Sequence, residues 1–103
     1  MNIDHIRRLC VEDRMQWSLH ALKRMRERKI TSYEVINCIQ QGEIIEEYPD
    51  DRPLPSCLIF GVAVQRKLHT VVGCGDDYIS IITAYEPDAS EWEPDYKTRK
   101  EQK

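Results

Sequence analysis

The 103-residue chain predicts an α+β fold, with two or three N-terminal helices packed on an antiparallel sheet of about four strands. Three observations carry this expectation. Apolar residues recur at helical spacing up to residue 41, and the period then changes to that of strands after Gly42. Two turn clusters, Gln65-Arg66-Lys67 and Gly75-Asp76-Asp77, divide the apolar second half into three consecutive strands. A chain of this length holds one core, so residues 1–99 read as a single domain followed by a disordered tail at 100–103.

Ile3, Ile6 and Leu9 with Cys10 predict a first amphipathic helix over 3–12. Met15-Gln-Trp-Ser reads as an extended entry, with Ser18 as the N-cap of a second helix. Thr31-Ser-Tyr-Glu34 is a capping box, in which hydroxyl and carboxylate each satisfy an orphan amide, and Gly42 stands where a left-handed C-cap belongs; together they bound a third helix over 32–41. Glu43–Tyr48 is a short polar-rich strand, and the proline-broken stretch 49–55 a loop. Cys57–Val64 is apolar on both faces, as a central strand covered on both sides would be. Leu68–Gly73 and Tyr78–Tyr85 complete the meander. The tail from Glu86 loses periodicity but keeps Trp92 and Tyr96, which predicts packing through those rings and fraying beyond Arg99.

Composition bounds the chemistry. With 41% apolar and 32% charged residues the chain reads as globular, and no apolar run approaches the about 18 residues of a membrane span. The N-terminus lacks the basic-then-apolar pattern of a signal peptide, so a cytoplasmic protein with no membrane partner is expected. The four cysteines, Cys10, Cys38, Cys57 and Cys74, form no C-x-x-C pair and have no partnering histidine pair. Buried, reduced thiols are the expectation, with no metal and no cofactor. His5, His20 and His69 are equally scattered. The net charge of −3 divides into +3 over residues 1–42, −9 over 43–96 and +3 over 97–103, so any nucleic-acid binding must be local. The stretch 14–29 concentrates the basic residues.

Within that stretch His20, Arg24 and Arg28 recur every fourth residue. At 100° per residue they drift by about 40° per step and share one polar stripe, with Leu19, Leu22 and Met25 expected on the opposite side. An imidazole backed by two guanidiniums suits phosphodiester chemistry; the same spacing also describes an ordinary solvated basic face.

The segments His20-Ala-x-x-Arg24-Met-x-x-Arg28-x-Ile30-Thr31, Glu34-Val35, Gly42-Glu-Ile-Ile-Glu-x-Tyr48-Pro-Asp-Asp and Ile82-Thr83-Ala-Tyr85-x-Pro87-Asp88 resemble the bacterial family called domain of unknown function 4258. That family looks like a distant relative of the RelE/ParE-like toxins, and the resemblance runs from about Trp17 to Arg99. It implies a RelE-like fold and a toxin-like, metal-independent endoribonuclease of the mRNA interferase type. It also implies a cognate antitoxin with a zinc-finger N-terminus and a helix-turn-helix C-terminus.

Metal-free RNA cleavage needs a base for the 2′-hydroxyl, an acid for the departing 5′-oxygen and positive donors for the charge growing on phosphorus. His20 is the candidate proton carrier because its ordinary pKa lies near neutrality. Arg24 and Arg28 are the candidate planar grips on phosphate. From the last strand Thr83 and Tyr85 share a face, which the family pattern turns toward the early helix. Lys23, Arg99 and His69 are candidate RNA contacts, His69 being either a second proton carrier or a hydrogen-bonded sheet histidine. Acidic residues of 43–96 would repel RNA unless they lie in turns and tail, where most of them fall. Two other readings fit the same residues: a non-enzymatic interaction module, and a toxin that binds a protein target.

Overall fold

The structure is a computed structural model and describes residues 1–101. Helix α1 spans Ile3–Val11; the Asn2 side chain caps it by accepting the amides of Asp4 and His5, and it buries Ile6, Leu9 and Cys10. Strand β1, Met15–Trp17, leads into helix α2, Leu19–Arg28, whose N-cap is Ser18. Helix α3, Ser32–Gln41, begins with the expected reciprocal bonds between Thr31 and Glu34. Four strands follow: β2 Glu43–Tyr48, β3 Ser56–Ala63, β4 Arg66–Cys74 and β5 Ile79–Tyr85. Among the described residues no helix is long and apolar enough to cross a membrane.

The α+β class holds, while the sheet has five strands in the order β1-β5-β4-β3-β2 and is mixed, not purely antiparallel. The difference is the short entry at Met15–Trp17, which pairs parallel with Ile79–Ile81. The Ile79 amide donates to the Arg14 carbonyl at 3.0 Å and starts that pairing. β3 lies between β2 and β4, as its two-sided apolarity predicts.

Two local expectations are corrected. Gly42 is extended (φ −91°), and the left-handed cap falls instead on Lys29 (φ 57°) at the end of α2. Gly42 is required for space: a Cβ there would strike the carbonyls of Cys38 and Phe60 where α3 turns into the sheet. The second correction concerns α2. Ala21 and Met25 are its buried residues, whereas Leu19 and Leu22 are exposed, at 86% and 43%. The axis of burial therefore runs through positions 21 and 25, and the drifting His20–Arg24–Arg28 stripe reaches its border at Arg28.

All three helices cover one face of the sheet. That face presents Cys57, Ile59 and Ala63 of β3, Leu68 and Val72 of β4, and Ile79, Ile81 and Ala84 of β5. α3 approaches closely because Gly61 has no side chain, and the Cys38 thiol donates to the Ile59 and Leu68 carbonyls. Arg66 ties the layers at one end. It pairs with Glu34 at 2.7 Å and Glu86 at 2.8 Å and donates to the Lys29 carbonyl, holding the ends of α2, α3 and β5 in one clamp.

The other face is covered by the tail. Trp92 is buried, and its ring meets that of His69 edge-on at 4.5 Å between centroids. Trp92 bridges to Arg99, whose guanidinium lies 4.6 Å from the Trp92 ring centre. Beyond Arg99 the Lys100 amide donates to the Glu91 carbonyl at 2.9 Å. Within the expected tail 100–103, residues 102–103 lie outside the described residues.

Candidate functional site

The expectation that Thr83 and Tyr85 face the early helix is overturned by one residue. Between Ile81↔Val72 and Thr83↔Val71 the register shifts, leaving Ile82 as an extra residue in β5. Ile79, Ile81 and Ala84 thus point to the helices, and Tyr85 lies on the tail side against His69, its partner in register. The helical and strand halves nevertheless meet. β1 stops pairing at Ile81, and past that point Arg28 donates to the Thr83 hydroxyl at 3.2 Å and to the Ala84 carbonyl at 2.9 Å.

Behind Tyr85 stands an ordered relay. His69 is fully buried, and its Nε2 lies 2.7 Å from the Tyr96 carbonyl. A carbonyl only accepts, so Nε2 carries the proton, and Nδ1 is left to accept from the Tyr85 hydroxyl at 3.4 Å. Burial holds the His69 pKa below its ordinary value, which keeps the ring neutral and able to accept. The Tyr85 hydroxyl is raised, chiefly by burial; Glu46 and Glu91 add to the rise, while Arg99 and Arg28 oppose it.

On the same face Glu46 holds Arg99 with two bonds, 2.8 and 3.1 Å, and also accepts from the Tyr48 hydroxyl. Arg99 holds the Glu46 carboxyl below the usual range, and burial, with Glu46 beside it, pushes Tyr48 up to about 12. Nearby Lys97 pairs with Glu43 at 3.2 Å.

The remaining members of the helical stripe stand apart from this network. Arg24 pairs with Glu27 at 3.3 Å, and His20 and Lys23 are exposed on the first turns of α2. The structure thus joins Arg28 to Thr83 at the margin of β5 and Tyr85 to His69 on the tail-covered face, while Arg99 is held by Glu46 on β2 at the far edge of the sheet, and His20, Lys23 and Arg24 lie apart along α2. Glu46, Tyr48 and Tyr96 join the site, although the sequence marks the first two only as part of a motif and Tyr96 only as a packing ring. Glu46 and Tyr48 alternate at strand spacing in β2, but nothing local marks Arg99 as their partner. Among the described residues no group of three or more His, Cys, Asp or Glu side chains is arranged to hold a metal ion.

Fold and site together describe a small α+β domain with helices on one sheet face and, on the other, a buried histidine bonded to a half-buried tyrosine. The family model for a domain of unknown function, DUF4258, matches residues 17–86, and the chain belongs to that family. The matched region includes the stripe, His69, Thr83 and Tyr85, and ends before the tail that supplies Trp92, Tyr96 and Arg99. No curated protein and no solved structure matches the chain.

Proposed function

We propose that this protein is a metal-independent endoribonuclease of the toxin type, held in check by a cognate antitoxin, with Tyr85 at the centre of its site. The observation that carries the reading is the placement of the Tyr85 hydroxyl on His69 Nδ1, with the charges of Arg28 and Arg99 acting on it. A neutral imidazole behind a phenol can take its proton and return it, the exchange that transphosphorylation requires. Arg28 and Thr83 supply donors for a phosphate at the sheet margin, and Arg99 supplies a second guanidinium. His20, Arg24 and Lys23 extend the donors along α2, where a flanking phosphate would lie.

The test is cleavage of a single-stranded RNA in the presence of a chelator. Wild-type protein is expected to leave 2′,3′-cyclic phosphate ends, with rates falling about 10²-fold or more in Tyr85→Phe and by a smaller factor in His20→Ala. Folded wild-type protein that leaves RNA intact would sink the proposal.

A second reading, a non-enzymatic interaction module, draws on Arg24 and Arg99, whose charges are already paired with Glu27 and Glu46. It is favoured if RNA stays intact while the chain binds its antitoxin, a partner with a zinc finger and a helix-turn-helix.

A further inference from the structure

Cys57 and Cys74 are the one pair of thiols in contact among the described residues, with sulfur atoms 3.8 Å apart on neighbouring strands. Cys57 stands opposite Val72, so Cys74, two residues further along β4, is its diagonal neighbour on the same side of the sheet. A disulfide bond is about 2.05 Å long, so the sulfurs need approach by less than 2 Å. Cys74 is the last residue of β4, where the strand enters the turn at Gly75. The two thiols are unequal. Cys57 is fully buried and Cys74 partly exposed, so a small oxidant meets Cys74 first.

We propose that Cys57 and Cys74 form a peroxide-responsive dithiol that closes to an intramolecular disulfide. The two sulfurs share a hydrogen bond that either can donate, and with Cys57 as the donor the Cys74 pKa lies below its ordinary value and that of Cys57 above it. In the first step the Cys74 thiolate attacks one oxygen of a hydroperoxide, the O–O bond breaks, and the sulfur becomes a sulfenic acid while the other oxygen leaves as water or alcohol after taking a proton. In the second step the Cys57 sulfur attacks the Cys74 sulfur and the S–O bond breaks. The hydroxyl leaves with the Cys57 proton as water. Two thiols are oxidised and one peroxide is reduced. Cys38 and Cys10 do not compete for the peroxide: burial pushes the Cys38 thiol up to about 11 and raises Cys10, and both are buried where Cys74 is partly exposed.

The test uses the full chain, treated with hydrogen peroxide at low protein concentration. The protein is then unfolded, alkylated and mapped by proteolysis. Of its four cysteines, Cys10 and Cys38 are expected to remain alkylatable, and one peptide pair should join Cys57 to Cys74 within a monomer, released by dithiothreitol. Cys74→Ser, at a partly exposed strand end, should abolish that pair and leave Cys57 free. Four alkylatable thiols after treatment, a linkage through Cys10 or Cys38, a link between two copies, or oxygen retained on Cys74 with Cys57 unlinked would each overturn the proposal.

Discussion

Arg28 reaches Thr83 around the uncovered margin of β5, bonding its hydroxyl at 3.2 Å and the neighbouring Ala84 carbonyl at 2.9 Å. A helical arginine thereby satisfies a sheet carbonyl that β1 leaves unpaired, and fixes the guanidinium beside Tyr85. Arg28→Ala should cost about 1–3 kcal/mol, since charged hydrogen bonds are lost and a carbonyl is orphaned. Arg28→Lys should recover part of the melting temperature without recovering RNA cleavage, because one ammonium cannot reproduce the planar fork. Equal recovery of both would confine Arg28 to a structural role.

His69 couples stability to pH. Its folded pKa lies below the ordinary 6.5, so in the window beneath 6.5 the unfolded chain binds the extra proton. Its contribution is therefore complete above pH 6.5 and lost as pH falls through the folded pKa. Melting temperatures measured between pH 7.5 and 5.5 should decline, and that slope should flatten in His69→Phe. His69→Ala, which empties a buried ring site and strands the Tyr96 carbonyl, should cost about 3 kcal/mol.

Glu46 governs the tail. Replacing it with Gln removes the charge that holds Arg99 and should loosen the Trp92–Arg99 turn while leaving the helical core intact. Amide exchange should rise at residues 92–100 and stay unchanged in α3. Acid should act in the same place: the Glu46 pKa is depressed, so its stabilisation is present above the ordinary 4.5 and lost as pH falls through the folded value. That window opens below 4.5, whereas the one set by His69 opens below 6.5.

Gly61→Ala tests how tightly α3 sits on the sheet. The new Cβ would meet the Cys38 carbonyl oxygen at 2.5 Å and its Cα at 2.9 Å, both backbone atoms that cannot swing away. A loss of about 2–3 kcal/mol is expected by urea unfolding. A neutral outcome would mean that α3 can ride outward at no cost.

Arg66→Ala should likewise destabilise by about 2 kcal/mol, because it releases Glu34, Glu86 and the Lys29 carbonyl together. Glu34→Gln alone should cost less, since Glu86 and the carbonyl still hold the arginine. The comparison is readable in a single thermal-melt series.

The three helices are legible because their signals are local: spacing in α1, Ser18 before α2, and Thr31 with Glu34 before α3. The meander is legible from its turns. β1 is not, because three residues acquire strand character only through Ile79, far along the chain. The facing of Tyr85 is hidden for another reason. A single extra residue at Ile82 reverses the alternation, and no glycine or proline marks it. Arg28 stands between these cases: the 40° drift that aligns the stripe also carries its last member to the edge of the buried face. Glu46 shows its strand position in sequence but not its partner, which arrives with the tail.

The parallel pairing of Met15 with Ile79 has a consequence for the order of assembly. Antiparallel β2–β5 can zip through short turns, each closing a small loop, whereas β1 gains a partner only when the end of that meander exists. During synthesis the ribosome must release β5 before the N-terminal segment can dock. Until then Met15 and Trp17 wait in water, and a segment that precedes the whole meander is locked in place only after its final strand.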